Sequence, residues 1–413
     1  MIAEILTIGD ELLCGSRIDT NAAYIARRLD VLGVDVRYKS TAGDNLDLLE
    51  EAISLALRRA DIIIATGGLG PTDDDITKKV ICKVFKRNLI FHEDVLAEIE
   101  KRFAARGVKM PSINQNQALL PQGAGFLPNR IGSALGIVID EQGKFFCALP
   151  GVPNEVEIMV DEELAPLLAQ RPGNRVIIRR VLRTTGIIES ALAEIIRILP
   201  KIPDGVSLAY LPSYRGVDLA LKGTGTVAKE VQAAVDTAAG NLRQAVAKYI
   251  YTEDDRELEE IVGELLVQQG KTLATAESCT GGLLGGRLTR TSGSSRYYRG
   301  GVVAYADEVK RERLGVSETI IAQNGAVSAE TAEAMASGVR EAIGADLGVA
   351  ITGLAGPTGG TDDKPVGTTF IALATPAGLT SEKYILGRHR EANRERAVTI
   401  ALDMVRKALL GLS

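Results

Sequence analysis

The stretch Ala276-Glu277-Ser278-Cys279-Thr280-Gly281-Gly282, followed later by Lys310, contains residue types that together can cleave an amide. A serine hydroxyl is a weak nucleophile until a base removes its proton. The chain has only two histidines, His92 and His389, and neither lies in a convincing catalytic motif. A lysine is therefore the available base, provided that burial or neighbouring arginines favour its uncharged form. The pattern indicates a serine and lysine pair that attacks a carbonyl group.

The position of Ser278 in the chain predicts how its hydroxyl is presented. It follows the apolar run 273–276 and precedes a segment whose leucines, four residues apart, share one helical face. We therefore expect a strand-to-helix corner, where free backbone N–H groups can bind an anion. Spacing alone also fits a capping serine with a surface lysine, and Cys279 is a rival nucleophile that is more often simply buried. The N–H groups expected to hold an oxyanion are those of Thr280, Gly281 and Gly282.

A second glycine loop lies in the last third of the chain. The apolar segment 348–351 runs into Thr352-Gly353-Leu354-Ala355-Gly356-Pro357, and more glycines follow up to 367. Two glycine loops beside parallel-looking strands predict a three-layer α/β domain with a ligand at the strand carboxyl ends. Residues 302–305 are strand-like, and Lys310 is expected to begin a helix. Arg390 and Arg394 are four residues apart, so they share a helical face and are suited to bind a phosphate.

Near the N-terminus, a strand at 61–65 runs into Gly67-Gly68-Leu69-Gly70-Pro71-Thr72, and a helix follows. This layout can hold a phosphate, because glycines let the backbone approach closely and a helix start favours an anion. The loop is neither a Walker A sequence nor G-x-G-x-x-G, so it defines no nucleotide class. Asp73-Asp74-Asp75 either cap that helix or bind a divalent metal ion. The candidate phosphate contacts are Gly67, Gly68, Gly70 and Thr72.

Composition limits the class of protein. A chain of 413 residues is too long for one ordinary core and indicates two or three domains. The formal net charge of −5 argues against general nucleic-acid binding, which needs a basic face. The four cysteines are scattered without a C-x-x-C pair, which argues against a disulfide framework or a zinc site. No signal peptide or membrane span is indicated, so we expect a cytoplasmic protein.

The motifs at both ends resemble those of the competence/damage-inducible CinA family. The resemblance implies an α/β multidomain protein: a MoaB/MogA-like three-layer α/β domain at 1–170, a small α+β KH-like module at 171–254, and a three-layer α/β amidase domain at 255–413. The segments that carry it are Gly9-Asp10-Glu11-Leu12, Asp19-Thr20-Asn21, Gly67 to Thr72, Leu149 to Pro153, Ala276 to Gly282, Gly301 to Lys310, Thr352 to Pro357 and Lys364 to Thr368.

The middle module begins after a plausible linker, Arg171-Pro172-Gly173-Asn174. Its first helix starts at Gly186-Ile187-Ile188-Glu189-Ser190, where the CinA family has a glycine in place of Ile188. A KH-type RNA clamp needs Gly-x-x-Gly, which this segment lacks. We interpret the module as a spacer or a dimerisation element.

For the C-terminal domain, the resemblance implies a nicotinamide-nucleotide amidase. Such an enzyme converts nicotinamide mononucleotide to nicotinate mononucleotide and ammonia without a cofactor. Ser278 corresponds to the nucleophile of the family and Lys310 to its base, with Tyr305 in a supporting catalytic position. The family usually has Asp after the glycine that here is Gly387, and Arg388 stands there instead. The expected substrate contacts are Thr280, Gly281, Gly282, Thr352, Gly353, Gly356, Arg390 and Arg394.

For the N-terminal domain, the resemblance implies an ADP-ribose pyrophosphatase that depends on a divalent metal ion. Related domains bind molybdopterin without hydrolysing a pyrophosphate. The alternatives are therefore a molybdopterin-binding protein, or an interaction protein for competence or DNA damage, with vestigial catalytic sites. The expected partners are the two small-molecule substrates, with no direct nucleic acid, no membrane and a homodimeric state. The candidate metal ligands are Asp10, Asp19, Asp44, Asp73, Asp74 and Asp75.

Overall fold

The computed structural model describes residues 1–72, 74–171 and 176–412. The chain divides into two compact units, Met1–Ile178 with Thr224–Val231 and Arg179–Gly223 with Gln232–Ser413. Most of the predicted middle domain and the whole predicted C-terminal domain therefore fall in one unit. Residues 172–174 of the predicted linker lie outside the described residues. Among the described residues, no helix combines the length and the apolar character needed to cross a membrane.

The first unit is built on one six-stranded sheet and one two-stranded sheet. In chain order its strands are β1 (Ile2–Ile8), β2 (Asp35–Ala42), β3 (Ile62–Thr66), β4 (Leu89–Phe91), β5 (Leu119–Pro121), β6 (Gly125–Leu127), β7 (Gly136–Glu141) and β8 (Lys144–Leu149). Its helices are α1 (Asp10–Leu13), α2 (Thr20–Val31), α3 (Leu46–Arg59), α4 (Thr77–Val84), α5 (Glu93–Ala105), α6 (Pro153–Met159) and α7 (Ala165–Ala169), with a 3-10 turn at Ser112–Ala118 and a π-helical turn at Val160–Leu164.

The large sheet has the order β2-β1-β3-β8-β7-β6. Strands β2, β1, β3 and β8 are parallel, and β7 and β6 are antiparallel additions. Helices α3 and α4 cover one face and α2 and α6 the other, each with its own apolar cluster. Strands β7 and β8 form a hairpin, with positive φ at Gln142 (52°) and Gly143 (76°) in its two-residue turn. This three-layer arrangement places the glycine loop after β3 at the carboxyl edge of the parallel strands.

The rest of the chain contains two further sheets. In chain order its strands are β9 (Val176–Thr184), β10 (Val206–Ser213), β11 (Gly216–Gly225), β12 (Ile250–Thr252), β13 (Leu273–Glu277), β14 (Tyr298–Val303), β15 (Leu347–Gly353), β16 (Thr368–Thr375) and β17 (Gly378–Ile385). Its helices are α8 (Glu189–Arg197), α9 (Ala228–Val246), α10 (Leu258–Gln268), α11 (Leu283–Arg290), α12 (Asp307–Leu314), α13 (Glu318–Asn324), α14 (Ala329–Ile343) and α15 (Arg390–Leu410), with a 3-10 turn at Ser294–Arg296.

The C-terminal sheet differs from the parallel sheet that the sequence predicts. Its order is β14-β13-β15-β16-β17, and only β14, β13 and β15 run parallel. Strands β16 and β17 are antiparallel. Helices α10, α11 and α15 pack on one face and α12 and α14 on the other, so the predicted three layers are present. The four-stranded sheet of the middle module has the order β10-β11-β9-β12.

Two predicted element boundaries near the candidate site are wrong. The strand predicted at 302–305 is β14, which ends at Val303, so Tyr305 lies in the connection beyond the sheet. Lys310 does not begin a helix, because α12 starts at Asp307. Asp307 and Glu308 occupy the first turn, where negative side chains interact favourably with the helix dipole. Lys310 is therefore held inside a helix rather than at its start.

A buried ion pair links the three helices on one face of the C-terminal sheet. The Arg287 side chain is 1% exposed and donates from Nη2 to Glu259 Oε2 at 2.6 Å. Its Nη1 donates to Thr399 Oγ1 at 3.0 Å. Burial raises the pKa of Glu259, but the hydrogen bond and the charge of Arg287 outweigh burial, and the pKa lies below its ordinary value. The pair thus fixes α10, α11 and α15 against one another.

Replacing Arg287 with methionine should lower the free energy of unfolding at pH 7 by about 3–5 kcal/mol, because Glu259 is left buried without a counter-charge. Urea denaturation measures this. Arg290→Met, on the exposed end of the same helix, is the matched control, with an expected change below about 0.5 kcal/mol.

The same ion pair predicts a dependence on pH. The pKa of Glu259 is lower in the folded state than in the unfolded state, where it is about 4.3, so the ion pair stabilises the fold above that pH. This stabilisation is lost as pH falls and the carboxylate is protonated. The difference between wild type and Arg287→Met should therefore shrink below about pH 4. Equal stability of the two variants at pH 7 contradicts this account.

Candidate functional site

Ser278 lies at the predicted corner, between the end of β13 and the start of α11. Its backbone N–H donates to the carbonyl of Ile351, on the neighbouring strand β15, at 2.9 Å. The residue is 8% exposed, and its hydroxyl makes no hydrogen bond to the described residues. The serine is thus held by its backbone at the carboxyl edge of the sheet, and its hydroxyl is not committed to another group.

Lys310 projects from α12 and is almost fully buried. Its Nζ donates to the carbonyl of Tyr305 at 3.1 Å and pairs with Asp307 Oδ1 at 3.1 Å. The neighbouring N–H of Ala304 donates to the carbonyl of Glu277 at 2.8 Å. The amine therefore binds the residue that directly follows Ala304, and Ala304 is hydrogen-bonded to Glu277, the residue before Ser278. No hydrogen bond joins the Ser278 hydroxyl and the Lys310 amine in the part of the chain that the structure describes.

The start of α11 is occupied by a carboxylate that the sequence analysis did not assign. Glu277 is 2% exposed. Its Oε2 accepts the N–H groups of Gly282 at 3.1 Å and Leu284 at 3.0 Å, and its Oε1 accepts that of Gly285 at 2.8 Å. These N–H groups are the ones that a helix start usually offers to an anion. The expectation that Gly282 helps to hold an oxyanion is therefore wrong.

The other two predicted oxyanion donors differ from each other. The N–H of Gly281 donates to the carbonyl of Ser278 at 3.1 Å, so it too is already used. The N–H of Thr280 has no acceptor among the described residues. The side-chain hydroxyl of Thr280 is also buried without a partner in the described structure. Of the predicted donors, Thr280 is the one that remains available to a reacting group.

Two arginines from the first turns of α15 reach this corner. Arg394 Nη2 donates to the carbonyl of Thr280 at 2.9 Å. Arg390 donates from Nη1 to the carbonyl of Gly356 at 2.9 Å and from Nη2 to the Tyr305 hydroxyl at 3.2 Å. The predicted shared face is thus present, and both guanidinium groups lie beside the Ser278 loop. Each keeps further N–H groups with which it can bind a phosphate.

The second glycine loop contributes structure rather than open surface. Thr352 is fully buried and donates its hydroxyl to the carbonyl of Ala326 at 2.7 Å. A Cβ on Gly353 would lie 2.8 Å from the carbonyl of Thr368, and one on Gly356 (φ 88°) would lie 2.5 Å from Val366. These residues were expected to contact substrate. Close packing accounts for the two glycines, and the hydrogen bond to Ala326 accounts for the threonine.

The two rival catalytic groups are disfavoured by their surroundings. Cys279 is buried, and this burial raises the pKa of its thiol to about 11. The reactive thiolate is therefore scarce near neutral pH. His389 is exposed at the residue before α15 and makes no hydrogen bond to Ser278 in the described structure. The surroundings of Cys279 and His389 therefore do not favour a nucleophilic role for the thiol or a catalytic role for the imidazole.

In the first unit, the predicted phosphate loop folds tightly against the end of β1. A Cβ on Gly67 (φ 115°) would lie 2.2 Å from the carbonyl of Ile8, and one on Gly68 (φ 63°) 2.3 Å from Thr77 Oγ1. Asp75 then braces the loop from inside. Its Oδ1 accepts the N–H of Gly70 at 2.7 Å and its Oδ2 that of Thr72 at 2.8 Å. The N–H groups of Gly70 and Thr72 are therefore bound to Asp75 and are not free for a phosphate, contrary to prediction.

Two of the predicted metal ligands face each other at the edge of this unit. The N–H of Asp10 donates to Asp44 Oδ2 at 3.0 Å, and the N–H of Asp44 donates to Asp10 Oδ1 at 3.2 Å. A Cβ on Gly43 would lie 2.3 Å from Asp10 Oδ1, so a larger residue here would displace the Asp10 carboxylate. Burial raises the pKa of Asp44, and so do the charges of Asp10, Glu11 and Asp74, while the backbone hydrogen bond lowers it. Several negative charges therefore lie close together at this edge of the unit.

The remaining predicted ligands are used differently. Asp19 caps α2 by accepting the N–H of Ala22 at 2.9 Å and pairs with Lys39 at 3.1 Å, so a metal role for it is not supported. Asp75 braces the glycine loop, and Asp73 lies outside the described residues. Within the residues that are described, no group of three or more His, Cys, Asp or Glu side chains is arranged to hold a metal ion.

Comparison with known proteins decides the family. Family models match residues 4–170 as "Probable molybdopterin binding domain", 179–252 as "Damage-inducible protein CinA KH domain" and 255–409 as "CinA C-terminal domain". A CinA-like protein of Gemmatimonas aurantiaca is 45% identical over 412 residues, covering 99% of this chain and 96% of the relative. The chain belongs to the CinA family.

The chain is also similar to a second curated relative and to a solved structure. A CinA-like protein of Cytophaga hutchinsonii is 42% identical over 408 residues, covering 98% of this chain and 98% of the relative. A solved structure of a competence/damage inducible protein from Agrobacterium tumefaciens is 36% identical, covers 38% of this chain and 99% of its own, and has a TM-score of 0.36. The three family models follow the order of the predicted domains, so the predicted multidomain α/β fold class is confirmed.

Sequence reasoning missed several residues of this CinA-family chain. Glu277 and Asp307 lie within quoted motifs, but their partners are apparent only in three dimensions. Lys78 is buried behind the glycine loop and donates to the carbonyl of Asn116 at 2.6 Å. Burial lowers the pKa of Lys78 to about 8, although the negative charge of Asp75 acts in the other direction and raises it. A lysine beside an apolar helix position gives no sequence signal of this kind.

Proposed function

We propose that this CinA-family chain hydrolyses the carboxamide of nicotinamide mononucleotide to give nicotinate mononucleotide and ammonia. The observation that carries the proposal is the uncommitted Ser278 hydroxyl at the edge of the sheet, with the buried Lys310 of α12 hydrogen-bonded to the connection that follows β14. Two guanidinium groups lie on the same corner. Nucleophile, base and anion-binding groups of this kind are what hydrolysis of a phosphate-bearing amide requires. The match of the family's C-terminal motifs supports the same reaction.

The reaction begins with attack of Ser278 Oγ on the carboxamide carbon. Uncharged Lys310 takes the hydroxyl proton as the new C–O bond forms. The carbonyl oxygen becomes an oxyanion, for which the N–H of Thr280 is the available donor. As the tetrahedral intermediate collapses, the C–N bond breaks and Lys310 returns the proton to the departing ammonia. Water, deprotonated by the same amine, then hydrolyses the acyl-serine and releases the carboxylate product.

The phosphate of the substrate suits the two arginines of α15. Arg390 and Arg394 each use part of their guanidinium on backbone carbonyls, and Arg394 Nη1 also pairs with the exposed Glu391 at 3.0 Å. Each guanidinium still keeps further donors. Guanidinium groups bind phosphate through paired hydrogen bonds, which fix orientation as well as position. Arg390 also donates to the Tyr305 hydroxyl, which holds the exposed ring beside this guanidinium. No cofactor is needed for these steps.

The ion pair of Lys310 with Asp307 holds the base in position. Its Nζ and the Asp307 Oδ1 are 3.1 Å apart, and both residues lie in α12. Asp307 is half exposed, so solvent weakens the ion pair and its contribution is modest.

Asp307→Asn should lower kcat for nicotinamide mononucleotide by up to about fivefold, because a half-exposed ion pair that positions the amine contributes at most about 1 kcal/mol. The measurement is kcat at a fixed pH of about 8. Glu308→Gln is the matched control, because it removes the same charge from the next residue, which does not bond Lys310. An unchanged kcat for Asp307→Asn, or an equal loss in both variants, contradicts this role.

The direct test of the amidase proposal uses the full-length wild-type protein. Nicotinamide mononucleotide is incubated with it, and ammonia and nicotinate mononucleotide are quantified together. Equal amounts of the two products are expected. Release of nicotinamide, which requires cleavage of the glycosidic bond instead, contradicts the proposal.

A second activity, cleavage of ADP-ribose at its pyrophosphate, is favoured by the facing carboxylates of Asp10 and Asp44. Burial is the main cause of the raised pKa of Asp44, and repulsion from nearby negative charges raises it further. A divalent cation bound between the carboxylates would relieve this repulsion. Magnesium is commonly bound through one or two carboxylates together with substrate phosphates, so two facing aspartates fit this ion. Asp10 and Asp44 would hold it, and it would supply charge neutralisation on the pyrophosphate.

Asp44→Asn should reduce magnesium-stimulated release of AMP from ADP-ribose by at least about tenfold, because the amide keeps the hydrogen bond to Asp10 but loses the charge. Product analysis by chromatography measures it. Asp47→Asn, at a 92% exposed side chain nearby, is the control and should retain wild-type activity. If the wild-type protein leaves ADP-ribose intact with magnesium and manganese, the molybdopterin-like, binding-only interpretation replaces this one.

A further inference from the structure

A large cavity lies inside the second compact unit, between the KH-like module and helix α15. Its volume is about 970 Å³, at the upper end of the range of about 300–1,000 Å³ that small-molecule sites occupy. Neither Ser278 nor Lys310 lines it. The amidase proposal therefore gives this cavity no role.

One wall of the cavity is the turn that opens α8. Gly186 (φ 74°) brings this turn against α15, where a Cβ would lie 2.7 Å from Asp403 Oδ2. Asp403 is buried and pairs with Lys407 at 3.0 Å. Only glycine permits this close approach. Ile188 follows in the same turn and is 70% exposed, so a large apolar side chain is presented at the cavity wall.

Another part of the cavity lining carries a cation next to an aromatic ring. The Arg396 guanidinium lies 5.7 Å from the centre of the Tyr214 ring, and its Nη1 donates to the carbonyl of Leu386 at 2.7 Å. Within the described part of the chain, Arg396 has no carboxylate partner. Tyr214 is 56% exposed. A guanidinium with spare donors beside an open ring can bind an anion and a flat ring together.

The remaining walls fit the rest of such a ligand. Ile400 and Met404 of α15 and Leu373 of β16 give an apolar surface for a ring. Glu189, in the first turn of α8, is exposed and forms no ion pair among the described residues. Its carboxylate is an acceptor for an amino group. Apolar walls, an amine acceptor and an unpaired guanidinium are complementary to a base that carries a phosphate.

We propose that this cavity binds a nucleoside monophosphate, with its base beside Tyr214 and its phosphate on Arg396. The site is separate from both proposed reactions and depends on neither. Because Glu189 accepts hydrogen bonds, a base with an exocyclic amine is preferred to one without. The Gly186–Ser190 turn, to which the amidase reaction gives no task, forms the wall that accepts the amine.

The chain contains no tryptophan, so Tyr214→Trp introduces a single fluorescent reporter into the full-length protein. AMP should change its emission saturably. Adenosine, which lacks the phosphate, should require at least about tenfold higher concentration. Adding Arg396→Gln to this reporter should raise the AMP concentration needed to that of adenosine, because the guanidinium no longer binds the phosphate.

Two controls keep the result specific. Tyr249→Trp places the reporter in the same unit but outside the cavity lining, and it should not respond. Isothermal titration of the wild-type protein and of Arg396→Gln with AMP tests binding without the reporter. The proposal is overturned if AMP gives no saturable signal in either assay up to about 10 mM, if adenosine binds as well as AMP, or if Arg396→Gln leaves AMP affinity unchanged.

Discussion

Ser278→Ala is expected to lower ammonia release from nicotinamide mononucleotide by at least about 10³-fold, because removal of a catalytic nucleophile leaves only binding and oxyanion stabilisation. The adjacent Cys279 cannot substitute, since burial raises the pKa of its thiol to about 11. The Ser278 hydroxyl makes no hydrogen bond to the described residues, so its loss should leave the fold intact. Initial rates at saturating substrate, with circular dichroism on the same samples, measure both points.

Ser295→Ala is the matched control for Ser278→Ala, because it removes a serine hydroxyl away from the proposed site. Ser295 is exposed on the 3-10 turn Ser294–Arg296 of the same domain. Its rate should equal that of the wild type. If Ser278→Ala keeps wild-type turnover, Ser278 is not the nucleophile and the proposed mechanism fails.

Lys310→Met should be the second most damaging change, with a loss of about 10²–10⁴-fold, because general base catalysis contributes that much. The methionine side chain is similar in length to that of lysine and suits a buried position, but it cannot accept a proton. Lys310→Arg should be nearly as inactive, since a guanidinium stays protonated and cannot serve as a base. The measurement is kcat across pH, together with thermal unfolding.

Lys383→Arg is the control for the lysine series, because Lys383 is exposed on β17 of the same sheet. It should retain wild-type kcat. A Lys310→Met or Lys310→Arg protein that keeps more than about a tenth of wild-type activity would identify another group as the base.

The strand-to-helix corner could be predicted because its signals are local. The apolar run before Ser278 and the leucine periodicity after it require no knowledge of neighbours. The direction of β16 could not be predicted, because a buried apolar run looks the same in a parallel and an antiparallel strand. The start of α12 was misplaced for a related reason. From sequence alone, either Asp307 or Lys310 could be the first residue of the helix, and tertiary contacts decide which of the two it is.

The chemistry of the site was less accessible to sequence reasoning than its position. The glycines at 281 and 282 look like an anion cradle, and only the folded chain shows that Glu277 already occupies the N–H group of Gly282. Asp19 fits both a cap and a metal ligand, and the hydrogen bond to Ala22 supports the cap. Residue type restricts what a side chain can bond. Which bond it makes depends on what else the fold brings within 3 Å.

Helix α15 is a single 21-residue rod with Arg390 at one end and Lys407 near the other. About 25 Å of helix separates these two residues. A tilt of about 2° around the far end moves the near end by about 1 Å, and a misplacement of this size costs about 100-fold in rate. Because helix α15 is stiff, the reaction rate is sensitive to side chains on this helix that never contact the amide. Random mutagenesis should therefore yield slow variants that map to the distal half of this helix.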